Sequence, residues 1–297
     1  MLRWRLAASA VLIPVLIAIF SFDHQAGATA PFLLGLCCLL AVRGNWELVE
    51  LLKKRSLPVS YPLTVLGSTA IVMSAWWGQW AFRSFTSLET VMLTFSMVVL
   101  LIFLKGCVLY REPGKNIERM ACEIFCVTYI GVLLAVTAQL RWLGNGNAGY
   151  LALASVVIAA KCGDIGGYTL GRLFGKKKLV PLLSPGKTWM GALGAVLGAS
   201  LGSWLWLHFG PSLFSNAWTP CNAEWALCYG AVLGVIGLIG DLAESLIKRD
   251  VGAKDSSNLV PGFGGLLDLL DSVLYSGPVA LVLWHALPLA EWVSTKR

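Results

Sequence analysis

From Gly240 to Ser272 the chain reads GDLAESLIKRDVGAKDSSNLVPGFGGLLDLLDS. Six of the sixteen acidic residues fall in this stretch, Asp241, Glu244, Asp250, Asp255, Asp268 and Asp271, with Lys248, Arg249 and Lys254 among them. Apolar runs flank it, near 226 to 246 and 270 to 290. Each is long enough for a helix to cross a hydrocarbon core of about 30 Å, which takes about 20 apolar residues. A polar, charged segment between two such runs is a connection at a membrane surface, and that reading sets the fold class.

Outward from this stretch the pattern repeats. The chain is 57% apolar and 13% charged over 297 residues, whereas soluble domains carry about 25% charged residues. Further apolar runs lie near 6 to 22, 31 to 52, 62 to 82, 90 to 110, 120 to 140, 148 to 162 and 189 to 208. The expectation is an all-α, polytopic transmembrane helical bundle of about nine spans. After Arg3 and Arg5 the first run lacks a small-residue cleavage pattern, so it is expected to be a retained helix and not a signal peptide.

Lysine and arginine set the orientation. With the N-terminus in the cytoplasm, seventeen of the 23 basic residues fall in cytoplasmic connections and four outside, while Arg43 and Lys105 fall within predicted spans. That asymmetry is the positive-inside pattern, and it accounts for a formal charge of +7 without a nucleic-acid partner, since the bases are spread over short loops. Eight cysteines and three histidines (His24, His208, His285) show neither zinc spacing nor a disulfide framework. Residues 1–146 read as scaffold helices joined by short connectors, and 147–297 as a catalytic region with longer polar loops. Trp76, Trp77, Trp80 and Trp142 suit an interfacial aromatic belt. The absence of a visible internal repeat speaks against an inverted-repeat transporter.

The first long connection, Lys161 to Gly194, reads KCGDIGGYTLGRLFGKKKLVPLLSPGKTWMGALG. Lys161, Asp164 and Tyr168 share one face if the helix continues past them, and Gly163, Gly166, Gly167 and Gly171 permit close backbone approach. An aspartate at a span end is costly unless paired, and Lys161 or Lys187 is the natural partner of Asp164. Ser184 to Thr188 enters the next helix either as an ordinary cap or as an anion site, without the glycine spacing of a Walker loop. Lys176 to Lys178 suit a membrane anchor better than a substrate contact.

Within the opening stretch, Asp241, Glu244 and Lys248 recur at i, i+3, i+7, and Asp268 and Asp271 at i, i+3, each set on one helical face. Pro261 to Gly265 forces a non-helical reversal that brings two helix ends side by side. Carboxylates facing a common gap repel unless a hard divalent cation such as magnesium, or lysines, stand between them. Glu244, Asp250 and Asp255 serve equally well as surface ion-pair partners. There is no Ser, His or Cys base pair for acyl transfer. Phosphoryl or nucleotidyl transfer needs metal, positive charge and positioning, and a phosphate acceptor, already anionic, needs no general base.

These residues resemble the phosphatidate cytidylyltransferases, or CDP-diacylglycerol synthases. The likeness runs through Ser245, Lys248, Arg249, Lys254, Asp255, Pro261, Gly262, Gly264, Gly265, Asp268 and Asp271, extended by Gly240, Asp241, Glu244 and Ser256. Upstream it continues in Asp164, Gly166, Tyr168, Gly171, Arg172, Phe174, Gly175, Lys176, Ser184, Pro185, Lys187, Thr188 and Gly191, so it covers about the last 140 residues. The resemblance implies a Mg2+-dependent reaction of CTP with phosphatidic acid at the cytoplasmic face of a membrane. The compact, loop-poor build suits a bacterial inner membrane, and a homodimer is an admissible assembly. It implies that Asp241, Asp268 and Asp271 hold the metal. Lys187, Lys248 and Arg249 are then expected to neutralise phosphate oxygens, and Lys254 and Asp255 to shape the loop over the nucleotide. Ser245, Asp164 and Ser184 complete the expected substrate contacts.

The chain departs from the family pattern at Phe263, Leu269 and Met190, where His, Arg and Glu are usual. Other readings are a CTP-dependent polyprenol or phytol kinase, with Asp164 or Glu244 as the base a neutral hydroxyl requires, a catalytically inactive binder of lipid phosphate, and an ion-coupled transporter.

Overall fold

A computed structural model describes residues 2–80, 85–144, 147–214, 218–257 and 264–292. The elements in chain order are α1 (Leu2–Ala26), α2 (Pro31–Lys54), α3 (Tyr61–Trp80), α4 (Ser87–Val108), α5 (Asn116–Cys126) and α6 (Leu133–Ala138). There follow α7 (Asn147–Phe174), β1 (Lys178–Val180), β2 (Ser184–Thr188), α8 (Trp189–Phe209), α9 (Pro211–Phe214), β3 (Trp218–Thr219), α10 (Ala223–Asp250), α11 (Leu267–Ala286) and β4 (Glu291–Trp292).

Each of the nine predicted runs overlaps a helical segment, with residues 81 and 82 of the third outside the described residues. Among the described residues seven segments are long and apolar enough to cross a membrane: α2, α4, the segment Asn116–Trp142, α7, α8, α10 and α11. The chain is an integral membrane protein of helical class. The other two runs are α1, 25 residues long, and α3, 20 residues long. The face α3 buries carries Thr64, Ser68 and Ser74.

Two helices run further than the apolar pattern suggested. α7 was expected to stop near 162 and continues to Phe174, and α10 was expected to stop near 246 and continues to Asp250. In α7 the reason is packing. Gly166 faces α8 so closely that an added Cβ would stand 2.2 Å from the carbonyl oxygen of Gly194, and the neighbouring glycines repeat the approach along the helix. Close backbone contact replaces the side-chain bulk that an apolar periodicity would have revealed. Thr188 then opens α8 as its N-cap, its hydroxyl accepting from the Gly191 N–H at 3.1 Å. The segment between α7 and α8 is an antiparallel hairpin in which Lys178 pairs with Thr188 and Val180 with Ser184.

By compactness the chain forms two units. One comprises Met1–Gln139 with Ile247–Leu270, the other Leu140–Leu246 with Asp271–Arg297. In the first, buried Asp23 accepts from the Phe32 and Leu33 N–H groups, both at 2.8 Å, and so caps α2. Buried Glu123 on α5 meets Lys105 of α4 at 2.5 Å. In the second, the Ser155 hydroxyl lies 2.6 Å from Tyr229 Oη and accepts from the Trp284 indole at 3.3 Å, joining α7, α10 and α11 through buried polar groups.

Candidate active site

In the second unit α10 carries Asp241 and Glu244 one turn apart, and α11 presents Asp271 to them. Gly240 makes the approach possible: a Cβ there would stand 2.8 Å from the Asp271 carbonyl oxygen and 2.9 Å from Tyr275 Cβ. One carboxylate oxygen from each of the three acids lies within 4.8 Å of the others. Glu244 and Asp271 are buried, at 2% and 6% exposure. The Asp271 Oδ1 accepts from the Ser272 N–H at 2.5 Å and from its hydroxyl at 3.0 Å, which fixes the carboxylate's orientation.

A cation already addresses this group. Lys187, the fourth residue of β2, places its Nζ 2.7 Å from Asp241 Oδ2. Three like charges at this spacing cost each other of order 3 kcal/mol per pair at an effective dielectric of about 20. The donors fit a hard divalent cation: all are carboxylate oxygens, they come from two helices that hold them at nearly the spacing of one coordination sphere, and no thiol or imidazole is among them.

The first unit contains Asp250, Asp255 and Asp268 of the opening stretch. Asp268 meets Lys248 Nζ at 2.5 Å through Oδ1, each side chain about one-tenth exposed. Its Oδ2 accepts from the Ser256 hydroxyl at 2.6 Å, the Ser256 N–H at 3.1 Å and the Gly265 N–H at 2.7 Å. The Gly265 bond reaches back three residues at the start of α11, as the acidic half of a capping box does. Gly264 adopts φ of +98°, a conformation only glycine takes without strain, and an added Cβ would press on the Asp268 carboxylate at 2.6 Å.

Ser245 is buried on α10, and Arg249 donates to the Ala253 carbonyl at 3.2 Å. Lys254 and Asp255 are exposed in the segment after α10. Asp164 pairs with Lys161 at 3.0 Å on an exposed face of α7, as the spacing required. Ser184 is half-buried at the start of β2. Leu269 and Met190 are half-buried, and Pro261, Gly262 and Phe263 lie outside the described residues.

Two acids carry more than their sequence context suggested. Glu244, which suits an exposed ion pair by spacing, is a buried member of the carboxylate group. Glu47, in a helix read as scaffold, is buried and accepts hydrogen bonds from Ser257, Leu266 and Leu267. The signal for Glu47 was its position. It lies among Ala41, Gly44, Leu48 and Leu51, the buried residues of α2, where an acid needs a partner.

A protein-family model described as "Cytidylyltransferase family" matches residues 3–287. Among curated proteins, the "Uncharacterized protein YnbB" of Escherichia coli (strain K12) is 34% identical over 197 residues, which is 66% of this chain and 63% of that protein. A phosphatidate cytidylyltransferase of Mycobacterium bovis is 32% identical over 181 residues, 60% of this chain and 54% of that protein. One of Haemophilus influenzae is 38% identical over 130 residues, 44% of each. The matched region thus spans 44% to 63% of the length of these relatives.

Proposed function

Because the chain belongs to the cytidylyltransferase family, we propose that it transfers a cytidylyl group from CTP to phosphatidic acid, giving CDP-diacylglycerol and pyrophosphate. The observation that carries this reading is the group formed by Asp241, Glu244 and Asp271 with Lys187 at 2.7 Å from Asp241. Magnesium, when bound there, would supply charge neutralisation and in-line orientation of the triphosphate. Asp241, Glu244 and Asp271 are the residues that would hold it. Asp268 stays among the metal-site acids on the resemblance alone, one turn before Asp271 on α11.

In the reaction a phosphatidate oxygen forms a bond to the α-phosphorus of CTP as the bond from that phosphorus to the bridging oxygen of pyrophosphate breaks. The nucleophile is already an anion at neutral pH, so no side chain has to remove a proton. Lys187, Lys248 and Arg249 supply positive charge for the phosphate oxygens, which are the groups that gain charge as pyrophosphate leaves. The basic asymmetry of the connecting loops supports a cytoplasmic site, and the bacterial relatives support a bacterial inner membrane.

The test uses the purified protein in lipid micelles with magnesium, labelled CTP and phosphatidic acid, following lipid-soluble nucleotide and pyrophosphate together. Equal appearance of both, abolished by chelator, is expected. A lipid product carrying phosphate but no cytidine, with CDP released, would replace this reading with that of a CTP-dependent lipid kinase.

A further inference from the structure

Glu47 has no exposed surface and no part in the chemistry proposed above. Its Oε1 accepts from the Leu266 N–H at 3.0 Å and the Ser257 hydroxyl at 2.7 Å, and faces the Arg43 guanidinium at 3.2 Å. Its Oε2 accepts from the Leu267 N–H at 3.0 Å and stands 3.2 Å from Ser256 Oγ. Two of these donors are amides at the N-terminus of α11, which the helix itself cannot satisfy. The favourable end of the helix dipole adds to the attraction. A carboxylate 220 residues distant in sequence therefore caps α11.

The same contacts fix Asp268. Ser256 Oγ lies between two carboxylates, 2.6 Å from Asp268 and 3.2 Å from Glu47, within hydrogen-bond reach of both. Glu47 in turn holds Ser257, the next residue, and the first amides of the helix that carries Asp268. There is no slack: a Cβ on Gly265 would stand 1.9 Å from Ser256 Oγ and 2.5 Å from Glu47 Oε2. We infer that Glu47 is the positioning residue of the Lys248–Asp268 pair, acting through Ser256, Ser257 and the start of α11 without touching substrate. The inference rests on the cytidylyl-transfer reading for its kinetic consequence, and on the geometry alone for its structural one.

Glu47→Gln keeps the shape of the side chain but turns one acceptor into a donor, so one set of partners is lost. Hydrogen exchange on the full chain in lipid nanodiscs is expected to rise about tenfold or more for amides in 253–257 and 264–268, with α3, α4, α7 and α8 unchanged. With CTP and phosphatidic acid, kcat is expected to fall about tenfold or more while KM for CTP stays within about twofold, because placement and not affinity is lost. Glu47→Asp should recover part of both. Unchanged kcat in Glu47→Gln, or faster exchange spread over all helices, overturns the inference. Should Glu47→Gln fail to fold, Ser257→Ala removes the hydroxyl that donates to Glu47 and accepts from Arg43, and is expected to raise exchange about threefold over the same segments; no local rise there overturns it as well. If the unaltered protein makes no CDP-diacylglycerol, the functional reading fails by itself, and a local rise in exchange still upholds the positioning while its absence refutes it.

Discussion

Replacing Asp271 by Asn removes one of three like charges whose oxygens lie within 4.8 Å of one another. In the absence of divalent cation that substitution relieves repulsion, and the amide oxygen can still accept from Ser272. Thermal unfolding in detergent is expected to show no loss of stability for Asp271→Asn, a rise with magnesium in the unaltered protein, and no such rise in the variant. Asp268→Asn has the opposite character, since it breaks a largely buried pair with Lys248. Its cost is about 3–5 kcal/mol, read as a lowered unfolding midpoint with or without magnesium. Lys53→Gln, which loses an exposed partner in Glu50, serves as the control and should stay within about 1 kcal/mol of the unaltered protein. Equal stability losses for Asp271→Asn and Asp268→Asn would remove the distinction between the two groups.

Among the elements, the glycine-lined contact of α7 with α8 makes the sharpest prediction. Gly166→Leu would drive its side chain into the Gly194 carbonyl 2.2 Å from the Cβ position, and overpacking of this kind costs about 1–3 kcal/mol or more. Loss of the monodisperse peak on size exclusion is expected, whereas Gly186→Ala in the hairpin, with nothing within 4 Å of the added methyl, should elute unchanged. This seam also shows what sequence could and could not disclose. The apolar runs located the helices, because burial in lipid is written in composition. The extension of α7 through Gly163, Gly166, Gly167 and Gly171 was only conditional in the sequence, because glycine ordinarily ends helices and the facing glycines of α8 are what sustain it. Asp241 with Glu244, and Asp268 with Asp271, were legible as acids sharing a helical face at helix ends. That Asp271 joins Asp241 and Glu244 required the crossing of α10 and α11 at Gly240, which depends on packing and not on spacing. Glu47 escaped for a related reason: apart from Arg43 one turn away, its partners lie more than 200 residues along the chain, beyond any local pattern.

For the molecule as a whole, the distribution of lysine and arginine predicts one orientation. Single cysteines at Lys115 and Lys254, both exposed, are expected to react with an impermeant maleimide from the cytoplasmic side of sealed vesicles, and one at Ser87 from the opposite side. Labelling of all three from one side would reverse the assignment of at least one span. The cap that Glu47 places on α11 has a consequence for how such a chain is made. The ribosome must add about 220 further residues before the Leu267 amide exists, roughly ten to forty seconds at ordinary elongation rates. During that interval the carboxylate already lies in an inserted helix, with Arg43 one turn away as its available counter-charge. The membrane end of α2 is therefore finished last, and truncated nascent chains that stop before residue 266 should leave it open to proteolysis that the completed protein resists.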